Sequence, residues 1–161
     1  MKISKPGIAA LVLSAFLTTP AIYAAQPHQH EHGGSAGTQL QLDNGRKWNT
    51  DAPLRRGMGA IRTLVDKAPH ALHDGAGKPE AYAALGARIE AETAKVIAEC
   101  KLEPRADAML HLVIADLLAG AETLKQPQPG QSPRDGLLKV AKALDDYGKF
   151  FQHPGWKPLG H

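Results

Sequence analysis

Residues 132–155 read SPRDGLLKVAKALDDYGKFFQHPG, and this stretch decides the fold. Ser132 and Asp135 stand three apart, the spacing of a capping box with Asp in place of the usual Glu or Gln, and Pro133 suits a first helical position. Leu137, Val140, Leu144, Tyr147 and Phe151 then recur at three-four-three-four spacing, which places them on one face of a helix. Pro154-Gly155 closes it.

Working back from that helix, the same grammar recurs three times. Gln126-Pro127-Gln128-Pro129-Gly130-Gln131 is a linker. Before it, a helix follows Pro104 and runs to about Lys125, with Leu110, Val113, Leu117 and Leu124 inward. Another opens at Lys78-Pro79-Glu80 and carries Tyr82, Leu85, Ile89, Val96 and Cys100 on one face. The first opens at Thr50-Asp51-Ala52-Pro53, buries Leu54, Met58, Ile61, Val65 and Ala68, and is stopped or bent by Pro69. No segment alternates like a strand. The expected fold is therefore all-α, an antiparallel up-down-up-down four-helix bundle over residues 43–156. Gly57, Gly59, Gly86, Gly120 and Gly148 lie within its helices and mark close helix approach. The pair around Met58 also clears space beside a thioether.

The chain before the bundle carries a different message. Lys2 and Lys5, about ten largely apolar residues from 8 to 17, and the small-residue end Tyr23-Ala24 form the pattern of a cleavable secretory signal over residues 1–24. The apolar run is too short to span a bilayer, so the mature protein is expected in the periplasm without stable membrane anchoring. Cleavage after Ala24 leaves 137 of the 161 residues and lowers the formal charge from +3 to +1, because Lys2 and Lys5 leave with the signal. No Lys/Arg run remains, which argues against nucleic acid as a partner. Cys100 is the only cysteine, so no internal disulfide forms.

Residues 25–42 read as a disordered tail rich in His, Gly and Gln, and residues 157–161 as a short C-terminal tail. His28, His30 and His32 recur at every second position, so a flexible chain can wrap them around one Cu(II), Zn(II) or Ni(II) ion. Pro27 lacks an amide hydrogen, which blocks the amino-terminal copper chelate that cleavage after Ala25 would otherwise set up. Imidazole-only capture remains, and it is lost below about pH 6 as the rings protonate.

Antiparallel order also collects donors inside the bundle. The start of the first helix, the end of the second, the start of the third and the end of the fourth share one end of the molecule. Met58, Cys100, His111 and His153 belong to that end and form a candidate soft-ligand site for copper. Met58 equally reads as core filling, and His111, four residues after Asp107, as one half of a helical ion pair. At the opposite end, His70 and His73 followed by Asp74 form a weaker candidate for a divalent ion.

The chain lacks Cys-x-x-Cys-His, Gly-x-Ser-x-Gly, a Walker loop, a dinucleotide fingerprint and His-Glu-x-x-His. Nothing in it argues for an enzyme. Residues 42–58, from Leu42-Asp43-Asn44-Gly45 to Arg56-Gly57-Met58, resemble small exported proteobacterial proteins labelled DnrO-like. So do Ala98-Glu99-Cys100-Lys101-Leu102, Ala106-Asp107-Ala108-Met109-Leu110-His111-Leu112 and the closing Tyr147-Gly148-Lys149-Phe150-Phe151-Gln152-His153-Pro154-Gly155-Trp156. That resemblance covers residues 40–156 and implies an exported protein without supplying an activity. A looser one is to cytochrome b562-type four-helix bundles, which hold haem b between a Met on the first helix and a His on the fourth. It implies Met58 and His153 as axial ligands, although His153 falls just past its helix. The expected function is metal binding for sequestration or handling, copper first. A haem b electron carrier, or a structural or interaction module without cofactor, stands as the alternative. The sequence names no protein partner.

Overall fold

The computed structural model describes residues 39–160, and among them the protein is all-helical. The signal-like segment and His28, His30 and His32 lie outside the described residues. Four long helices occupy the positions that the periodicity marks: α1 Ala52–Asp66, α3 Pro79–Glu99, α4 Pro104–Lys125 and α5 Pro133–Phe150. A proline sits at the first or second position of each, where a missing N–H costs nothing. α1 is capped by Asp51, whose Oδ1 accepts from the Leu54 amide at 2.8 Å. α5 has its capping box, the Ser132 amide donating to Asp135 Oδ2 at 2.7 Å. That bond is the main reason the Asp135 carboxyl is held below the usual carboxylate range.

One helix escapes the sequence pattern. α1 ends at Asp66, Pro69 takes an extended conformation, and the chain re-enters a single helical turn, α2, at His70–His73. Four residues are too few to show a period. What holds the turn is Leu72, only 3% exposed, and the Tyr82 hydroxyl donating to the Leu72 carbonyl at 2.8 Å.

α3 packs on both α1 and α4, and α4 on α5, while α1 and α5 meet more lightly. The inward faces of these helices, including Leu54, Met58, Ile61, Ile89, Leu110, Leu117 and Leu144, form one core. Two glycines set the α4–α5 distance. A Cβ on Gly136 would lie 2.6 Å from the Gly120 carbonyl oxygen and 2.7 Å from the Leu124 nitrogen, so backbone lies against backbone. Gly86 meets α4 in the same way, its Cβ position 2.6 Å from the Ala121 carbonyl oxygen.

The two ends of the described chain both pack. Leu40 lies half-buried against the core, and the Gln41 carbonyl accepts from Trp48 Nε1 at 2.7 Å. The expected tail therefore gives way to packed chain before residue 42. At the other end Arg62 Nε donates to the Lys157 carbonyl at 2.5 Å and its Nη2 to that of Pro158 at 3.0 Å, while Leu159 joins the core. Residues 157–160 are docked, because a single leucine and two carbonyl acceptors suffice to fix an extended segment on α1. No helix among the described residues is long and apolar enough to cross a membrane.

Candidate functional site

The end of the molecule that carries the expected ligands is built around a clasp. Trp48 and Phe151 form an isolated parallel bridge, with the Trp48 amide donating to the Phe150 carbonyl and the Gln152 amide to the Trp48 carbonyl, both at 2.8 Å. The Thr50 hydroxyl adds a bond to the Gln152 carbonyl at 2.6 Å. Asp51 serves two elements at once. Its Oδ1 caps α1, and its Oδ2 accepts the Lys101 amide at 2.6 Å, where the chain leaves α3 for α4. The start of α1, the end of α3, the start of α4 and the end of α5 thus meet here. Arg105 lies over the Trp48 ring at 5.3 Å from its centroid and faces Asp43 at 3.4 Å. A cleft of about 830 Å³ opens beside Trp48, Asp51, Lys101 and Glu103.

The four bundle-end candidates each have a different environment. Met58 is fully buried. The room that Gly57 leaves beside it is filled by Cγ2 of Val96, while a Cβ on Gly59 would meet nothing within 4 Å. Of the two glycine spaces expected around Met58, the one at Gly57 is thus occupied by an aliphatic side chain and the one at Gly59 is open. Cys100 ends α3 half-buried. Burial pushes its thiol up, and the carboxylates of Asp51 and Asp107 push it further, so it is a protonated thiol at neutral pH. His111 lies exposed on α4, its Nδ1 2.9 Å from the Asp107 carbonyl oxygen and 3.4 Å from Asp107 Oδ2. The four-residue spacing from Asp107 is the contact it makes.

His153 belongs to an aromatic cluster. Its Nδ1 lies 2.9 Å from the Tyr147 hydroxyl, and its ring packs against Trp156 at 5.0 Å between centroids. Tyr147 in turn stacks on Phe151 at 5.3 Å. Gly148 makes this possible, because the Trp156 indole occupies the place its side chain would take. Burial holds the Tyr147 phenol far above its ordinary range, so it keeps its proton. Burial, then the nearby Arg55, holds His153 below the ordinary histidine range, so its imidazole is neutral. The protonated phenol and the neutral imidazole share one hydrogen bond, whose direction is set by the ring tautomer.

The structure thus brings Tyr147 to His153 and Asp107 to His111. It does not bring Met58, sealed in the core, to His111 on the outer face of α4. Among the described residues no three His, Cys, Asp or Glu side chains form a group that could hold a metal ion. At the far end, His70 is exposed and His73 half-buried, both on the single turn of α2. Sequence reasoning missed the clasp. Its only local signal is Trp48 among polar neighbours, an aromatic with no helical face to join.

The chain matches no family model, no curated protein and no solved structure.

The His153 environment fixes a pH dependence. A histidine whose pKa is lowered by folding binds fewer protons folded than unfolded. Its contribution to stability is complete above about pH 6.5 and is lost as the pH falls through and below that value. Thermal melts should show a smaller loss between pH 7.5 and pH 5 for His153→Gln than for the natural chain. An equal loss in both would mean that other groups carry the dependence.

Proposed function

We propose that the protein is a periplasmic, non-catalytic antiparallel four-helix bundle that binds a transition metal ion through its N-terminal histidines, for sequestration or handling. One observation carries the reading: His28, His30 and His32 alternate in a Gly- and Gln-rich segment directly after a signal-like leader. Three imidazoles at every second position can close on one ion, and among divalent metals such nitrogen donors favour copper most. Within the helical part the sulfur and imidazole groups have other occupations. Met58 fills the core, and His153 packs against Tyr147 and Trp156. The tail is therefore the primary capture site of this proposal, and Met58, Cys100, His111 and His153 are a secondary candidate for the same ion. The haem b reading draws no support from the Gly57 side of Met58, because Val96 fills that position.

The test compares the mature natural chain with a His28→Ala, His30→Ala, His32→Ala variant in titrations with Cu(II) and Cu(I). Affinity for Cu(II) should fall at least about tenfold, or about 1.4 kcal/mol, in the variant. Binding to the natural chain should vanish below about pH 6. Equal affinity that is micromolar or weaker in both proteins would remove the tail from the reading and leave a structural or interaction module, whereas equal and tighter affinity would place the metal elsewhere in the chain.

A further inference from the structure

We propose that the cleft between the end of α1, the α2 turn and the first half of α5 binds a small amphipathic carboxylate, an unbranched aliphatic chain with one carboxylate at its head. The cleft exists because α1 stops at Asp66 and the chain turns through Pro69 into a single helical turn. The first half of α5 is thus left partly uncovered. The resulting space is about 660 Å³, within the range of about 300–1,000 Å³ typical of small-molecule sites.

The floor is apolar. Leu137 and Leu159 reach it from the core, and Ala141 and Leu138 line it from α5. Leu138 is 53% exposed, a large side chain left in water on the wall of a cleft. An aliphatic chain laid along these residues would remove that surface from water.

The rim is positive. Lys67 and Arg134 both line the cleft, and neither makes an ion pair among the described residues. Arg134 is held in place by its Nε, which donates to the His73 carbonyl at 2.8 Å. Its stem passes over Gly75, whose Cβ position lies 3.1 Å from Arg134 Cδ. The terminal guanidinium nitrogens then remain as a fork suited to a carboxylate. The acids nearby are already engaged. Asp66, which also lines the cleft, pairs with Arg62 at 3.7 Å, and Asp135, which feels the charge of Arg134, accepts the Ser132 amide and hydroxyl at 2.7 and 2.9 Å. His70 and His73 complete the rim. An apolar floor under a rim where Lys67 and Arg134 outnumber the single lining carboxylate, Asp66, is complementary to an amphipathic anion. A cationic amphiphile would meet like charge there, and a neutral one would leave the fork unused.

The experiment titrates the mature full chain with sodium decanoate below its micelle concentration, with decanol and decyltrimethylammonium as chain-matched controls. Decanoate should bind saturably, at least about tenfold more tightly than decanol, and the ammonium should not bind. Arg134→Gln should weaken decanoate at least about tenfold, and Leu138→Glu, which sets a carboxylate on the floor, should abolish it. Both positions are exposed, and far-ultraviolet circular dichroism verifies that the helices persist. The proposal is overturned by decanol binding as well as decanoate, by binding indifferent to both substitutions, or by no saturable binding at millimolar decanoate. In a His28→Ala, His30→Ala, His32→Ala background, zinc binding that is lost on adding His70→Ala and His73→Ala, with no decanoate binding, would overturn the proposal and assign the place to a metal instead. None of these outcomes depends on His28, His30 or His32, so the copper reading stands or falls separately.

Discussion

Trp48→Ala should lower stability by about 3–5 kcal/mol, the cost of truncating a large buried aromatic. Trp48 is 6% exposed and packs in the core cluster. Its indole N–H holds the arm through the Gln41 carbonyl, and its face carries Arg105. Truncation therefore opens a cavity and also frees the strand-like pairing that joins residue 48 to residue 151. For a domain of this size the midpoint of thermal unfolding should drop by roughly 10–20 °C. Trp48→Phe keeps most of the apolar area and loses only the hydrogen bond, so its loss should be less than half as large. Urea melts followed by circular dichroism read both. A Trp48→Ala loss under about 1 kcal/mol would show that the clasp is ornamental to the fold.

The second large effect comes from a methyl group. Gly136→Ala should destabilise by about 2–3 kcal/mol, whereas Gly59→Ala should stabilise by about 0.5–1 kcal/mol. In both helices alanine is intrinsically preferred to glycine. At Gly59 nothing stands within 4 Å of the new methyl, so the preference is all that acts. At Gly136 the methyl meets the Gly120 carbonyl oxygen and the Leu124 nitrogen, neither of which can rotate away as a side chain could. α4 and α5 must separate, and every contact along their shared face loosens. Thermal melts of the two variants should move in opposite directions. A shared direction would mean that backbone preference, not the closeness of α4 and α5, governs these sites.

Four of the five helices were legible because the chain announces their starts twice, with a proline at the first or second position and apolar residues returning every three or four. The periodic face also placed Met58, Leu110 and Tyr147 inward, where they are buried. Gly136 was not singled out, since it follows the α5 cap closely enough to pass for part of the turn. α2 was hidden by its length. The docking of residues 157–160 left almost no trace, since Leu159 is one apolar residue between Pro158 and Gly160 and has no period to join. The candidate site suffered from a more general gap. Helical spacing shows which end of a molecule a residue occupies, but not which partner its side chain already has. Tyr147 and His153 stand six apart across a helix end, and only the fold brings the hydroxyl to the imidazole.

The clasp also has a consequence for the order in which the molecule comes together. Packing of α3 on α4 and of α4 on α5 joins neighbours through short connections. Thr50 and Gln152 are 102 residues apart, and Lys47 reaches the Gly148 carbonyl across 101. Closing a loop of about a hundred residues costs about 2 kcal/mol more than closing one of about ten, if the chain between is still free. Once the helices have paired, that cost has largely been met and the ends are already near each other. The clasp is thus the late event in folding. By the same reckoning the outer part of the arm, residues 39–47, is the first to open, fraying in a local excursion that leaves Trp48 packed in the core.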